Sequence, residues 1–406
     1  MIVYFILALS AISITLDVLI LRGIARRYPA KPWMKRAYLI HFLLLDAAIV
    51  AGLLLYGRFS ESESQRMMHV ILWVIWLFFA TILPKATYGL ISLLNYPARW
   101  ICGRNVAFFT KTGLAAAVLV LAGLVWGATG GRNRIVVDEL TLVSDRLPAA
   151  FDDYKIVFFT DLHLGNLPSN NRLVRRMVEK INRQHPDLVV NGGDLVNIDS
   201  RELNGEVMAL LSGIRSRDGV YSVLGNHDLG FYMRPKESFT PRESVDDLLA
   251  RQRAMGWTPL VNESAFIGRD RDSIYITGVN FPADASHRGR DTGTAGCNMK
   301  GVYFNLSPYR YNLLVAHTPD QWDKALAEGN PDLTLSGHTH AMQLKFRIGK
   351  WQWSPAEWMY KRWSGLYTKG KHHLFVNDGM GYVMFPMRIG TPPSITVITL
   401  KAKAVK

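Results

Sequence analysis

Five short polar clusters punctuate the C-terminal two-thirds of this 406-residue chain: Asp161-Leu162-His163, Gly193-Asp194, Gly225-Asn226-His227-Asp228, Ala316-His317 and Gly337-His338-Thr339-His340. Together they carry enough carboxylate, imidazole and carboxamide groups to build a two-metal site. A mixed oxygen and nitrogen donor set without thiolate suits Mn²⁺, Fe or Zn²⁺ better than Ca²⁺ or a structural zinc. The two cysteines, Cys102 and Cys297, supply neither a zinc site nor a disulfide framework. A single His or Asp beside a strand is ordinarily a satisfied polar group. Five such clusters at successive strand ends have no comparable structural explanation.

The elements that must position these residues alternate between strands and helices. Residues 135–143 alternate as a first strand, and 155–160 form a compact apolar run that delivers Asp161 and His163 at its C-terminal end. That end is where α/β sheets place ligand-handling groups. Leu173, Val174, Met177, Val178 and Ile181 recur at helical spacing within 169–184, and 187–190 then read as a strand leading to Gly192-Gly193-Asp194. A helix over 203–214 precedes a strand at 219–224, which ends in Asn226, His227 and Asp228. A further helix at 242–255 leads to strands at 258–261 and 273–278, and 282–301 read as a loop rich in Gly, Asp, Arg and Ser. Strands at 311–316 and 332–336, separated by a helix near 321–328, end at His317 and at His338 to His340. The last strands are 373–376 and 394–400.

The order D-x-H, G-D, G-N-H-D, H, G-H-x-H resembles the calcineurin-like metallophosphoesterase family, in its membrane-anchored bacterial type, over residues 155–400. The resemblance implies an α/β domain built as a β-sandwich flanked by helices, in four layers α/β/β/α. It also implies two divalent cations, Mn, Zn or Fe. By position, Asp161, His163 and His340 would hold one and Asn226, His317 and His338 the other, with Asp194 bridging both. A hydroxide held between two such metals attacks phosphorus in line with the leaving oxygen. His227 would act as general acid or charge stabiliser for that oxygen, and Asp228 would orient His227 through a hydrogen bond. Related bacterial members commonly follow G-H-T-H with Gly-Gly-Gln. Here Ala341-Met342-Gln343 stands instead, a change that leaves the ligands intact and could reshape the pocket rim.

Charge is distributed unevenly along the chain. Residues 1–134 contain 14 of the 47 basic and 4 of the 33 acidic residues, so most of the net +14 lies there. The basic residues sit between long apolar runs, which points to membrane topology and away from nucleic acid. Four runs reach the roughly 20 residues a bilayer requires: 2–21, 37–56, 68–94 and 113–130. The chain therefore divides into a four-helix transmembrane region, 1–131, and a catalytic domain, 132–406. The first connecting loop holds six basic residues and no acid, and the third holds Arg99, Arg104 and Lys111. With these loops cytoplasmic, the catalytic domain of this multi-pass inner or plasma membrane protein faces the periplasm or exterior. Asp17, Asp46 and Lys85 fall within the spans and read as structural pairings between helices.

Residues 348–369 hold four of the eleven tryptophans among Lys and Arg side chains. Trp353, Trp358, Lys361 and Arg362 suit a rim that meets lipid headgroups. The expected partners are a bilayer and a phosphorylated small molecule or lipid, with no nucleic acid. The leading expectation is a membrane-anchored phosphoesterase acting on a phosphate ester or pyrophosphate. A nucleotide or cyclic-nucleotide phosphodiesterase needs the same core, whereas a non-catalytic membrane scaffold would be expected to have lost ligands.

Overall fold

The computed structural model describes residues 2–27, 29–40, 65–103, 108–233, 239–282, 292–293, 296–349 and 351–403. They form two compact units, Met1–Thr129 with Met384–Met387, and Gly130–Val383 with Arg388–Lys406.

The first unit contains helices α1 (Ile2–Arg27), α2 (Gln65–Leu93), α3 (Asn95–Cys102) and α4 (Phe108–Thr129), and residues 32–40 are also helical. Among the described residues, the stretches His69–Cys102 and Phe108–Asn133 are long and apolar enough to cross a membrane. They coincide with the third and fourth expected spans. The first expected span falls within α1, and the second, 37–56, lies mostly outside the described residues together with Asp46. A charge in such surroundings is costly unless paired. Asp17 is fully buried and takes a 2.7 Å ion pair from Lys85 Nζ and a 2.6 Å hydrogen bond from the Tyr38 hydroxyl. Helix-to-helix pairing thus accounts for both charges.

The second unit contains, among its described residues, two six-stranded sheets. One has the order β1 (Val136–Ser144), β14 (Ser394–Ala402), β2 (Tyr154–Phe159), β3 (Leu188–Asn191), β4 (Val220–Ser222) and β5 (Trp257–Pro259). β2 to β5 are mutually parallel, and β14 is antiparallel to β2. The other has the order β12 (Gly365–Lys369), β13 (His372–Val376), β9 (Leu333–Ser336), β8 (Asn312–Ala316), β7 (Asp272–Val279) and β6 (Glu263–Arg269). A two-stranded hairpin, β10 (Phe346–Ile348) and β11 (Trp351–Trp353), stands apart from both sheets.

Alternation along the strands explains why the sheets pack face to face. Leu313 and Val315 of β8 join Ile156, Phe158, Leu188, Val190, Ile274, Ile276 and Leu335 in one core drawn from both sheets. Leu314 and Ala316 point the other way and pack with Met299 and Ala325, carried by α8 (Met299–Tyr303) and α9 (Trp322–Glu328). Successive residues of a strand face opposite sides, so one buried strand serves two layers. Helix α5 (Arg172–Asn182) buries the five residues whose spacing predicts it. Helix α7 (Pro241–Ala254) starts with a capping box between Thr240 and Glu243 and with Pro241 in its first turn.

Some expectations differ from the structure. The helix expected over 203–214 is shorter, α6 (Gly205–Leu211), with Asn204 capping its start. Strands β6 and β12 were not expected. Both are sheet edges with one face in solvent, so neither carries a long apolar run.

Candidate active site

The five clusters lie at the C-terminal ends of β2, β3, β4, β8 and β9, which are inner strands of the two sheets. Facing sheets thereby bring their ends to one place. Three groups of side chains have candidate ligand atoms all within 4.8 Å of one another: Asp161, His163 and His340; His163, Asp194 and His227; and Asp194, His317 and His338. His340 Nε2 is 3.2 Å from Asp161 Oδ1 and 3.0 Å from His163 Nε2, while His317 Nε2 is 3.1 Å from Asp194 Oδ2. Asp161, His163, His317 and Asp194 are essentially inaccessible to solvent.

The backbone here is unusual. Asp161, His163, Asp194, His338 and His340 all have positive φ, between 45° and 70°. Non-glycine residues adopt that region at a cost of roughly 1–2 kcal/mol each, and such strain gathers at functional sites. Main-chain bonds hold it in place: Asp161 N–H donates to Gly193 O (2.9 Å), His163 N–H to Asp194 O (3.1 Å), and His338 N–H to the Asp161 carboxylate (3.0 Å). Gly193 is required twice over. Its φ is +95°, and a Cβ there would lie 2.7 Å from Gly225 N and 3.0 Å from His317 Nδ1.

Electrostatics explains how so many ionisable groups share one buried site. Burial pushes Asp161 up, but His340 and His317 beside it bring it below the ordinary carboxylate range. Asp194 is held low in the same way by His317 and His227. Burial opposes charge on His317, yet the Asp194 carboxylate pushes it up to about 10. Burial and neighbouring imidazolium charge lower His163, and push His338 down to about 3. Two ionised carboxylates therefore draw positive charge into the site, which cations can supply instead of protons.

The donor atoms fit that role. His317 Nδ1–H donates to the Gly192 carbonyl (2.8 Å), which leaves Nε2 as the basic nitrogen facing Asp194. Asn226 Nδ2 donates to the Tyr232 hydroxyl (3.0 Å), and its buried Oδ1 has no hydrogen-bond partner. A buried carbonyl oxygen left so is costly, and a cation would satisfy it.

His227 is held by contacts the sequence does not reveal. Its Nδ1–H donates to the main-chain carbonyl of Asn197 (2.6 Å), and its ring stacks on Tyr232 with centroids 4.2 Å apart. The expectation that Asp228 orients His227 is thereby corrected. Asp228 instead accepts the N–H groups of Val196 and Gly225, both at 3.0 Å, and so joins the loops after β3 and β4. Burial, with Asp194 nearby, pushes Asp228 up to about 7. Glu202 plays a similar part. Its carboxylate accepts from Gly165 N (2.8 Å), Asn197 N (2.5 Å) and Ile198 N (2.9 Å), tying the loops after β2 and β3 together.

A sixth strand end also contributes. After β13, the run Asn377-Asp378-Gly379-Met380-Gly381 folds against the ligands, and a Cβ on Gly379 would lie 2.8 Å from Asp161 Cβ. Fully buried Arg388 donates to the carbonyls of Gly381 (2.6 Å), Asp378 (3.0 Å) and Thr391 (3.0 Å), and lies 3.1 Å from His340 Nδ1. Burial pushes this guanidinium down to about 10. The Gly-x-Gly run after a strand was the available signal for this loop.

The four rim residues separate into two kinds. Trp358 is 77% exposed, Lys361 is exposed, and Trp353 stacks on Phe346 and meets Trp358 edge-on. Arg362 is not on a rim. It is buried, bonds both Asp323 oxygens at 2.8 and 3.1 Å, and lies over the Trp322 ring. A planar guanidinium paired and stacked in this way holds the segment to α9.

Known proteins share both parts of this chain. A family described as "Calcineurin-like phosphoesterase" matches residues 154–342, and one described as "Probable Calcineurin-like phosphoesterase, transmembrane domain" matches residues 2–132. "Transmembrane protein with metallophosphoesterase domain" from Bos taurus is 32% identical over 75% of this chain and 67% of its own length. "Uncharacterized metallophosphoesterase YkuE" from Bacillus subtilis is 29% identical over 66% of this chain and 87% of its own. "Phosphodiesterase YaeI" from Escherichia coli is 26% identical over 61% of this chain and 82% of its own. With its sandwich, its clustered Asp and His donors and its membrane domain, the chain belongs to the calcineurin-like metallophosphoesterase family of metal-dependent phosphoric ester hydrolases.

Proposed function

We propose that the chain hydrolyses a phosphate ester or pyrophosphate, with lipid-linked substrates favoured, at a centre for two divalent cations. The observation that carries this is the convergence of seven Asp and His side chains from five strand ends onto one cluster, with Asn226 beside His227. Asp161, His163 and His340 would hold one cation and Asn226, His317 and His338 the other, with Asp194 shared. When bound, such a pair lowers the pKa of water, supplying a hydroxide nucleophile, and neutralises charge on the phosphoryl oxygens.

The chain's own residues do the rest. Asp161 and Asp194, held ionised, keep the site attractive to cations. The Asn197 carbonyl fixes the Nδ1 proton of His227, so Nε2 is the nitrogen free to exchange a proton, and the ring protonated there passes that proton to the departing ester oxygen. Asp228 and Glu202 keep the loops that carry these groups in register.

Two features support a lipid-linked substrate. The chain carries a membrane domain, and the β10–β11 hairpin with the following segment exposes Phe346, Ile348, Trp351 and Trp358. Aromatic and basic side chains together suit a headgroup region. The second reading is a phosphodiesterase acting on soluble esters such as nucleotides; the Escherichia coli relative is called a phosphodiesterase.

Turnover by the full-length protein loaded with Mn²⁺ tests both. Hydrolysis of bis-p-nitrophenyl phosphate should vanish on chelation. Hydrolysis of an alkyl phosphate ester, whose leaving oxygen needs a proton, should fall about 10²- to 10⁴-fold in His227→Ala with metal content unchanged. Full turnover by that variant removes the acid role. On a panel of phospholipids, lipid pyrophosphates and nucleotides, Trp358→Ala should lower turnover of the lipids alone. Activity confined to nucleotides overturns the lipid assignment.

A further inference from the structure

Two tyrosines outside the five clusters touch the Asn226 and His338 side of the site. The Tyr232 hydroxyl accepts from Asn226 Nδ2 at 3.0 Å, and the Tyr360 hydroxyl lies 3.3 Å from His338 Nε2. The Tyr360 ring meets the His338 ring edge-on, with centroids 5.6 Å apart.

The chemistry of these contacts decides which atom each ligand can offer. A carboxamide has one oxygen and one NH₂, and only the oxygen binds a cation. With the NH₂ committed to Tyr232, Oδ1 is turned inward. A neutral imidazole has one N–H and one basic nitrogen, and its outer hydrogen bond selects between them. The phenol of Tyr360 can donate or accept; where Nε2–H donates to its oxygen, Nδ1 is left as the basic nitrogen of His338. The third member of the set, His317, is fixed at its other nitrogen: the Gly192 carbonyl can only accept from Nδ1–H, which leaves Nε2 basic.

Tyr360 also packs against the Ala341-Met342 pair. Both residues pack with Ala356, Trp363 and Tyr360 in one apolar cluster, and Tyr360 N–H donates to Ala356 O at 2.8 Å. Two glycines would present no side chain to this cluster. Ala341 and Met342 thus help to seat the segment that brings the Tyr360 phenol to His338.

We propose that Tyr232 and Tyr360 are positioning residues that orient Asn226 Oδ1 and His338 Nδ1 toward the second cation, making that site selectively dependent on two phenol hydroxyls. The inference rests on the assignment of Asn226 and His338 as cation ligands. The test is stepwise Mn²⁺ binding to the full-length protein, read by competition with a fluorescent chelator. Tyr232→Phe and Tyr360→Phe keep the rings and remove only the hydroxyls. Each should weaken the looser of two binding steps about 10- to 100-fold and leave the tighter one unchanged. Asn226→Ala and His338→Ala should weaken the same step. If the Phe variants bind both ions as the wild type does, or lose both steps equally, the inference fails. If Asn226→Ala and His338→Ala also bind normally, the ligand assignment fails with it.

Discussion

Glu202 shows how much of this site depends on groups that never face a substrate. Its carboxylate serves three main-chain donors from two loops, one bearing His163 and the other Asp194. Burial raises its pKa from 4.5 to about 7. Between those values the folded protein binds a proton that the unfolded chain has released, so stability falls as pH rises through the window. In Glu202→Gln this dependence is absent. The stability of wild type relative to the variant should therefore decline from about pH 4.5 to about pH 7, as measured by denaturant titration at matched metal concentration. A difference that stays constant across that range would show that the carboxyl is not raised. The metal-type residues were legible in the sequence because Asp, His and Asn at strand ends carry their chemistry in their side chains. Glu202 and the Asn197 carbonyl were not, because main-chain contacts leave no residue-type signature. Asp228 misled for the same reason, since its partners are backbone N–H groups.

The turn after β9 works at the scale of an element. His340, Ala341, Met342 and Gln343 all have positive φ, between 44° and 58°. A left-handed turn of L residues is strained, and Ala341 and Met342 stand where the motif expected from the resemblance has glycine. Ala356 packs in the same cluster, is equally buried, and lies outside the left-handed region. Ala356→Gly should cost about 1–2 kcal/mol through the lost methyl and added backbone freedom. Ala341→Gly loses the same methyl but relieves strain of roughly 1–2 kcal/mol, so it should be near neutral. Equal losses at the two positions, measured by chemical denaturation, would mean that the turn is unstrained. Interior strands and amphipathic helices were legible from apolar runs and 3.6-residue spacing. The edge strands β6 and β12 and the β10–β11 hairpin were not, because exposed strands share their composition with loops.

At the scale of the whole molecule, the division between a basic, apolar N-terminal part and a mixed-charge C-terminal part was legible from composition. The same charges bear on sidedness. Arg22, Arg26, Arg27, Lys31, Lys35 and Arg36 have no acidic neighbours in their loop, and a loop of that kind stays cytoplasmic. With four spans, that rule predicts a catalytic domain on the outer side. Protease added to spheroplasts should degrade it without lysis, and a domain protected until lysis would reverse the orientation.

The order of strands in the first sheet bears on how the protein is made. β14 lies between β1 and β2, pairing Val136 with Ser394 on one side and Phe158 with Thr396 on the other. A ribosome delivers β1 and β2 early and β14 more than two hundred residues later. At about 5–20 residues per second that gap lasts on the order of ten seconds or more. Throughout it β1 has no hydrogen-bonded neighbour in its sheet, and β2 presents an open edge of the kind that recruits other chains. The nascent polypeptide is thus most exposed to mispairing while its catalytic half is already largely translated, and slowing translation before β14 would lengthen that interval.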